Sequence, residues 1–180
     1  MNFVTTEIEG LLIVEPRVFA DERGYFFESY NKRLFDEAGL NVTFVQDNQS
    51  LSQKGVLRGL HFQEPPHAQA KLVSVVKGSV LDVAVDIRKD SPTYGKHCSL
   101  ILSEENKKMF FIPKGFAHGF LTLEDNTIFS YKCSDFYAKD SEGGILWNDQ
   151  HIGIDWGISD PILSDKDQVA QAFSTFKSPF

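Results

Sequence analysis

Runs rich in β-branched and aromatic residues dominate this chain: LLIVEPRVF, GYFFESY, VTFVQDNQS, GVLRGLHFQ, KLVSVVKG, SVLDVAVDIR, HCSLILS, KMFFIPKGF, GFLTLED and TIFSYKCSDFY, with Gly, Pro, Asn and Asp between them. Strands this short, joined by tight turns, bury their apolar residues by packing as an all-β sandwich or barrel. In KLVSVVKGSVLDVAVDIR, Lys77-Gly78 separates two β-branched runs and predicts a hairpin. Its alternation sets Lys71, Val73 and Val75 on one face and Leu72, Ser74 and Val76 on the other. A few short helices complete the picture. Asn31 to Ala38 is expected to be helical and to stop at Gly39. Val169 to Phe176 carries Val169, Ala172, Phe173 and Phe176 at helical spacing, which predicts a helix docked by an apolar stripe. No linker, repeat or low-complexity segment divides the 180 residues, so one domain over 1–180 is expected.

Composition narrows the function class. With 18 Lys and Arg against 25 Asp and Glu, the net charge of −7 argues against a nucleic-acid binder, which needs clustered positive charge. A small anionic ligand needs only a few local cations and stays compatible. The apolar stretch Leu11 to Val14 is too short for a signal peptide or a membrane span, which predicts a cytoplasmic protein with no membrane contact. Cys98 and Cys133 lack any zinc-type spacing and are expected as reduced packing cysteines.

Certain polar residues interrupt the apolar runs. Arg58 and His61 sit inside GVLRGLHFQ, Lys71 opens the hairpin, His118 follows a turn in IPKGFAHGF, and Tyr131 lies in TIFSYKC. A buried ion or imidazole must be paired, so several such residues on different strands are best explained by convergence on one polar cavity. Pro113, Gly115 and His118 have the P-x-G-x-x-H spacing that resembles the second motif of cupins, which are antiparallel jelly-roll barrels. The first cupin motif would carry His-x-His, and this chain has His61-Phe62-Gln63. Gln63 is a poor transition-metal ligand, so no metal is expected; a His61, His67 and His118 trio is the one alternative.

FADERGYFFESY, FVQDNQS, GVLRGLHFQ, QAKLVSVVKG, DVAVDIRKDSPTYGK, IPKGFAHGF, SYKCSDFY and ILSDKD stand in the order seen in the dTDP-4-dehydrorhamnose 3,5-epimerase family, and the chain resembles that family from about Ile8 to Asp167. The resemblance implies a metal-free, cofactor-free cupin-like barrel. Such an enzyme inverts C3 and/or C5 of a 4-keto-6-deoxy nucleotide sugar, in the main reading converting dTDP-4-dehydro-6-deoxyglucose to dTDP-4-dehydrorhamnose. It implies His61 as base, Asp167 (or locally Asp165) as its carboxylate partner, Lys71 beside the developing enolate oxygen, and Tyr131 as proton donor on the other face. Arg23 and Arg58 would grip the diphosphate. Glu28, the Gln46-Asp47-Asn48 turn, His118, Tyr137, Glu142 and Lys166 would line the site, with Phe19, Phe26 and Tyr137 against the base. A homodimer is implied, leaving open whether Arg23 and Glu28 serve their own pocket or the partner's. Epimerisation at one carbon only, on another nucleotide sugar including GDP-heptose types, a metal-dependent cupin, and a non-catalytic sugar binder are the alternatives.

Overall fold

The computed structural model describes all residues, 1–180. In chain order the elements are β1 (Asn2–Thr5), β2 (Leu12–Glu15), β3 (Phe19–Asp21), β4 (Gly24–Phe26), α1 (Lys32–Glu37), β5 (Gln46–Ser52), β6 (Leu57–Gln63) and β7 (Lys71–Lys77). There follow β8 (Ser79–Asp86), β9 (His97–Ser103), β10 (Met109–Ile112), β11 (Phe116–Thr122), β12 (Thr127–Cys133), β13 (Glu142–Gly144) and α2 (Asp165–Gln168). Single 3₁₀ turns lie at Lys139–Ser141 and Phe173–Thr175.

Two antiparallel sheets face each other, as the jelly-roll expectation requires. One runs β1-β2-β10-β7-β12-β5 and the other β13-β6-β11-β8-β9; β3 and β4 form a separate ribbon. Alternating side chains of both sheets, among them Val73, Val75, Ala84, Phe110, Phe120 and Phe129, meet in the central core. The outer face of the five-stranded sheet is also covered, with Leu57, Leu60, Phe62, Val83 and Val85 packing under Ile145, Trp147, Trp156 and Phe176. The outer face of the six-stranded sheet buries Leu72, Met109 and Phe111 against Phe35 of α1. Sheets covered on both faces read as continuous apolar runs, which is why every residue of β11 is buried. α1 forms as expected: the Asn31 side chain accepts from the amides of Arg33 and Leu34, and Gly39 follows with φ +81°.

Three expectations are corrected. β7 and β8 are not a hairpin. β7 bonds β10 and β12, whereas β8 bonds β9 and β11 in the opposite sheet. Lys77-Gly78 is thus a corner between sheets, and Gly78, with φ +77°, sits where a Cβ would lie 2.3 Å from Thr127 Oγ1. The facial alternation of β7 survives, because it depends on the pleat and not on the partner. The helix over Val169–Phe176 does not form. Helix α2 ends before it, Val169 is 82% exposed, and Gln171 bridges to Ile145 in extended geometry before Phe173 and Phe176 dock on the sheet. The backbone bond from Leu146 N–H to Gln171 O, 2.9 Å, outcompetes a helical turn there. Finally, Gln46-Asp47-Asn48 is the start of a strand and not a turn.

The pairing of β6 with β11 settles how Arg58 and His61 are aimed. His61 stands opposite His118 and Arg58 opposite Phe120, so three residue steps on β6 match two on β11. This is a β-bulge, and it turns residues of opposite parity to the same face. Gly59 makes it possible: its φ is +136°, and a Cβ there would stand 2.5 Å from Gly119 Cα. Leu57, Leu60 and Phe62 consequently face the outer core, while Arg58, His61 and Gln63 face the interior cavity. Gly59→Ala should lower stability by about 2–4 kcal/mol, read as a lower urea midpoint. A wild-type midpoint would mean that the bulge does not depend on glycine.

Candidate active site

A cavity of about 540 Å³ lies between the sheets, lined by residues of β5, β6, β7, β11 and β12 and by the segment Ile162 to Asp167. His61 projects into it from the five-stranded sheet. Its Nε2 lies 2.5 Å from Oδ1 of Asp167, whose other oxygen accepts from Ser164 Oγ at 2.7 Å. Asp167 is 3% exposed, and Asp165, the local alternative, is at the exposed start of α2. Burial pushes the Asp167 carboxyl up, but the hydrogen bonds from His61 and Ser164 outweigh it and hold the group below its ordinary range. A carboxylate only accepts, so Nε2 carries the hydrogen in this pair, and in a neutral imidazole Nδ1 is then the nitrogen with the lone pair.

Lys71 and Tyr131 enter from the opposite sheet. Lys71 Nζ sits 6.0 Å from the Tyr131 ring centroid. No carboxylate lies within ion-pair distance of Lys71, and burial drives its pKa down, opposed by the charges around Cys133, Asp82 and Glu142. Burial drives the Tyr131 phenol up, so it holds its proton at neutral pH. A ring bound between the sheets would therefore meet an imidazole base on one face and a phenol donor on the other.

His118, opposite His61 on the ladder, is buried with Nε2 3.0 Å from both oxygens of Asp82. Arg58 reaches the cavity with its Nε donating to Ser52 Oγ at 3.2 Å, which leaves the rest of the guanidinium fork for an anion. Gln46 and Asn48 line the cavity, but Asp47, on the other face of β5, turns outward to Lys132 at 3.0 Å. At the mouth, Lys166 Nζ meets Glu142 Oε1 at 2.7 Å and the Tyr137 hydroxyl donates to Glu142 Oε2 at 3.4 Å. Burial would raise the Glu142 pKa, yet the Lys166 contacts hold it low. In the lining the basic groups Arg58, Lys71 and Lys166 outnumber the carboxylates Glu142 and Asp167, inside an acidic chain.

Phe19, Arg23, Phe26 and Glu28 do not reach this cavity. Phe19, Arg23 and Phe26 belong to the β3–β4 ribbon and line a separate shallow cleft; Arg23 pairs with Asp21, and Glu28 accepts from Asn31. The ribbon pairs with neither sheet, which is the physical reason this cavity lacks them. The histidine trio does not assemble either: His67 lies at the surface, 3.7 Å from Asp135, and no three His, Cys, Asp or Glu side chains converge. Both cysteines are free, and Cys133 lines the cavity. Sequence reasoning missed Ser164, Gln69, Ser50 and Asp82. Ser164 had a signal, since Ser164 and Asp167 have the S-x-x-D spacing that opens helices. Asp82 could have been found as a charge inside the apolar run SVLDVAV.

Comparisons with known proteins cover nearly the whole chain. The family model described as dTDP-4-dehydrorhamnose 3,5-epimerase matches residues 5–175. The dTDP-4-dehydrorhamnose 3,5-epimerase of Shigella flexneri is 58% identical, covering 96% of each chain. The crystal structure of dTDP-4-dehydrorhamnose 3,5-epimerase from Elizabethkingia anophelis superposes with a TM-score of 0.93 at 55% identity, covering 97% of both chains. The dTDP-6-deoxy-D-glucose-3,5-epimerase of Legionella pneumophila, solved in complex with dTDP-4-keto-L-rhamnose, gives 0.94 at 49% identity over 98% of this chain and 94% of that one. With the family model matched over residues 5–175, relatives of more than half identical residues over nearly the full length and a shared two-sheet fold, the chain belongs to the dTDP-4-dehydrorhamnose 3,5-epimerase family.

Proposed function

We propose that this chain is an isomerase that inverts C5 and C3 of dTDP-4-dehydro-6-deoxyglucose to give dTDP-4-dehydrorhamnose, acting as a single-domain enzyme without a metal. The observation that carries this reading is the entry of His61 and Tyr131 from opposing sheets. Epimerisation next to a ketone needs a carbon-bound proton removed from one face and another delivered to the opposite face. His61 Nδ1 takes the proton from carbon, and the electron pair of the C–H bond moves into the enolate. Asp167 stabilises the imidazolium that forms and fixes the ring. Lys71, an amine without a carboxylate partner, faces the enolate oxygen and donates to it as negative charge grows there. Tyr131 O–H then gives its proton to carbon from the other side. Solvent exchange resets His61 and Tyr131, so the net change is one inverted centre per cycle.

Arg58 and Lys166 meet the diphosphate, while Gln46, Asn48, His118 and Glu142 hold the sugar and nucleotide and Tyr137 meets the base. The enzyme works as a homodimer in the cytoplasm. Edge strand β5 leaves Leu51 exposed, and the ribbon leaves Phe19 and Phe26 exposed beside Arg23, apolar surface that a second copy of the chain would cover. No helix is long and apolar enough to cross a membrane. In this assembly Phe19, Arg23, Phe26 and Glu28 complete the pocket of the neighbouring subunit.

Two experiments test this. Purified protein given dTDP-4-dehydro-6-deoxyglucose should form the L-configured product by NMR, and His61→Ala should lower kcat by about 10²–10⁴-fold. Absence of product, or an unchanged rate in His61→Ala, would sink the assignment. For the dimer, Arg23→Ala and His61→Ala subunits are each mixed with wild type and with each other. If Arg23 serves the neighbouring pocket, the mixed variants should regain about a quarter of wild-type activity through one intact site per heterodimer. No regain means that Arg23 serves its own pocket or none.

A further inference from the structure

Segment Ser134 to Ala138, which follows β12, carries Tyr137 over the cavity mouth. Its backbone is held in an unusual way. Gln69 Nε2 donates to Asp135 O at 2.8 Å and Gln63 Nε2 to Phe136 O at 3.2 Å. The amide of Tyr137 donates to Gln46 Oε1 at 3.0 Å and that of Ala138 to Gln63 Oε1 at 2.9 Å. Four consecutive residues thus each give one backbone group to a glutamine side chain, and all three glutamines line the cavity. Gln63 is 6% exposed and its Nε2 also donates to His67 O at 2.7 Å, so one amide ties together the two loops that flank the mouth. In strands, backbone groups pair with backbone; here the ladder has ended and side chains have taken over.

A loop that displays Phe136 at 63% and Tyr137 at 57% exposure has little packing to fix it. Ordering such a loop costs conformational entropy at the moment of binding unless it is ordered beforehand. We propose that Gln63 and Gln69 are positioning residues that pre-organise Tyr137 for the nucleotide. This rests on the reading of Tyr137 as a contact to the base. It also gives a function to the residue that replaces the second imidazole of the cupin pattern: Gln63 holds the rim of the site in place of a metal. Neither glutamine touches the reacting carbons, so their effect falls on binding and not on the chemical step.

The test uses the full-length enzyme with dTDP as probe, in calorimetry, alongside steady-state kinetics on the sugar nucleotide. Gln63→Glu keeps the acceptor for Ala138 but sets a carboxylate against two carbonyl oxygens; Gln69→Leu removes a single, partly exposed bond and guards against misfolding of the first variant. Each should weaken dTDP and raise KM, by about tenfold for Gln63→Glu, with kcat changed by less than about twofold. In a Tyr137→Ala background the Gln63→Glu effect should vanish. An equal effect in both backgrounds, an unchanged KM, or a loss of kcat matching the loss of KM would overturn the proposal. If Tyr137→Ala alone leaves dTDP affinity unchanged, the reading of Tyr137 fails and the proposal falls with it.

Discussion

Gly59 and Gly119 face one another across β6 and β11, and the rest of the site depends on that close approach. With no Cβ on either strand, β6 can take one extra residue against its neighbour and turn Arg58 and His61 inward together. Without the bulge, strict alternation would put one of them in the outer core, among Leu57, Leu60 and Phe62. An arginine or an imidazole there would lie unpaired against apolar side chains. The bulge therefore does two things at once: it keeps the outer core dry, and it supplies the cavity with a cation and a base from a single strand.

The cavity answers the general problem of keeping ionisable groups inside a barrel. Each of the two histidines lining the cavity is satisfied by its own carboxylate, His61 by Asp167 and His118 by Asp82. Lys71 and Tyr131 are different, because burial pushes their pKa values in opposite directions and no carboxylate forms an ion pair with Lys71. Groups left unmatched in the free protein are those a polar, anionic ligand can match. The chain as a whole is acidic, but this does not oppose binding of a diphosphate, since the field that matters is set locally by Arg58, Lys71 and Lys166.

How much of this could be read beforehand varied with the kind of interaction. α1 was legible because its signals are local: Asn31 caps one end and Gly39 closes the other. The facing of β7 was legible because pleating depends on the strand alone. Its partner was not, since a corner and a hairpin share the same Lys77-Gly78 signature. The C-terminal stripe was correctly apolar but wrongly helical, because a bridge to Ile145 holds it extended. His61, Lys71 and Tyr131 were legible as polar residues inside apolar strands, and Asp167, with Asp165 as the alternative, came from the family resemblance; all four line one cavity. Arg23 and Glu28 matched the same motifs yet lie away from this cavity, and the facing of Asp47 needed the register of β5 with β12. The glutamine contacts to residues 135–138 left no trace in spacing, since they join segments far apart in sequence.

The central claim is that His61 and Tyr131 act on opposite faces of one enolate. Solvent deuterium tests it most directly. In D₂O, Tyr131→Phe should still let His61 remove and return hydrogen on one face, so the unreacted sugar nucleotide gains deuterium next to its ketone while no epimer forms; His61→Asn should show neither exchange nor epimer. Epimer formation at the wild-type rate by Tyr131→Phe, or deuterium entry with His61→Asn, would contradict the account.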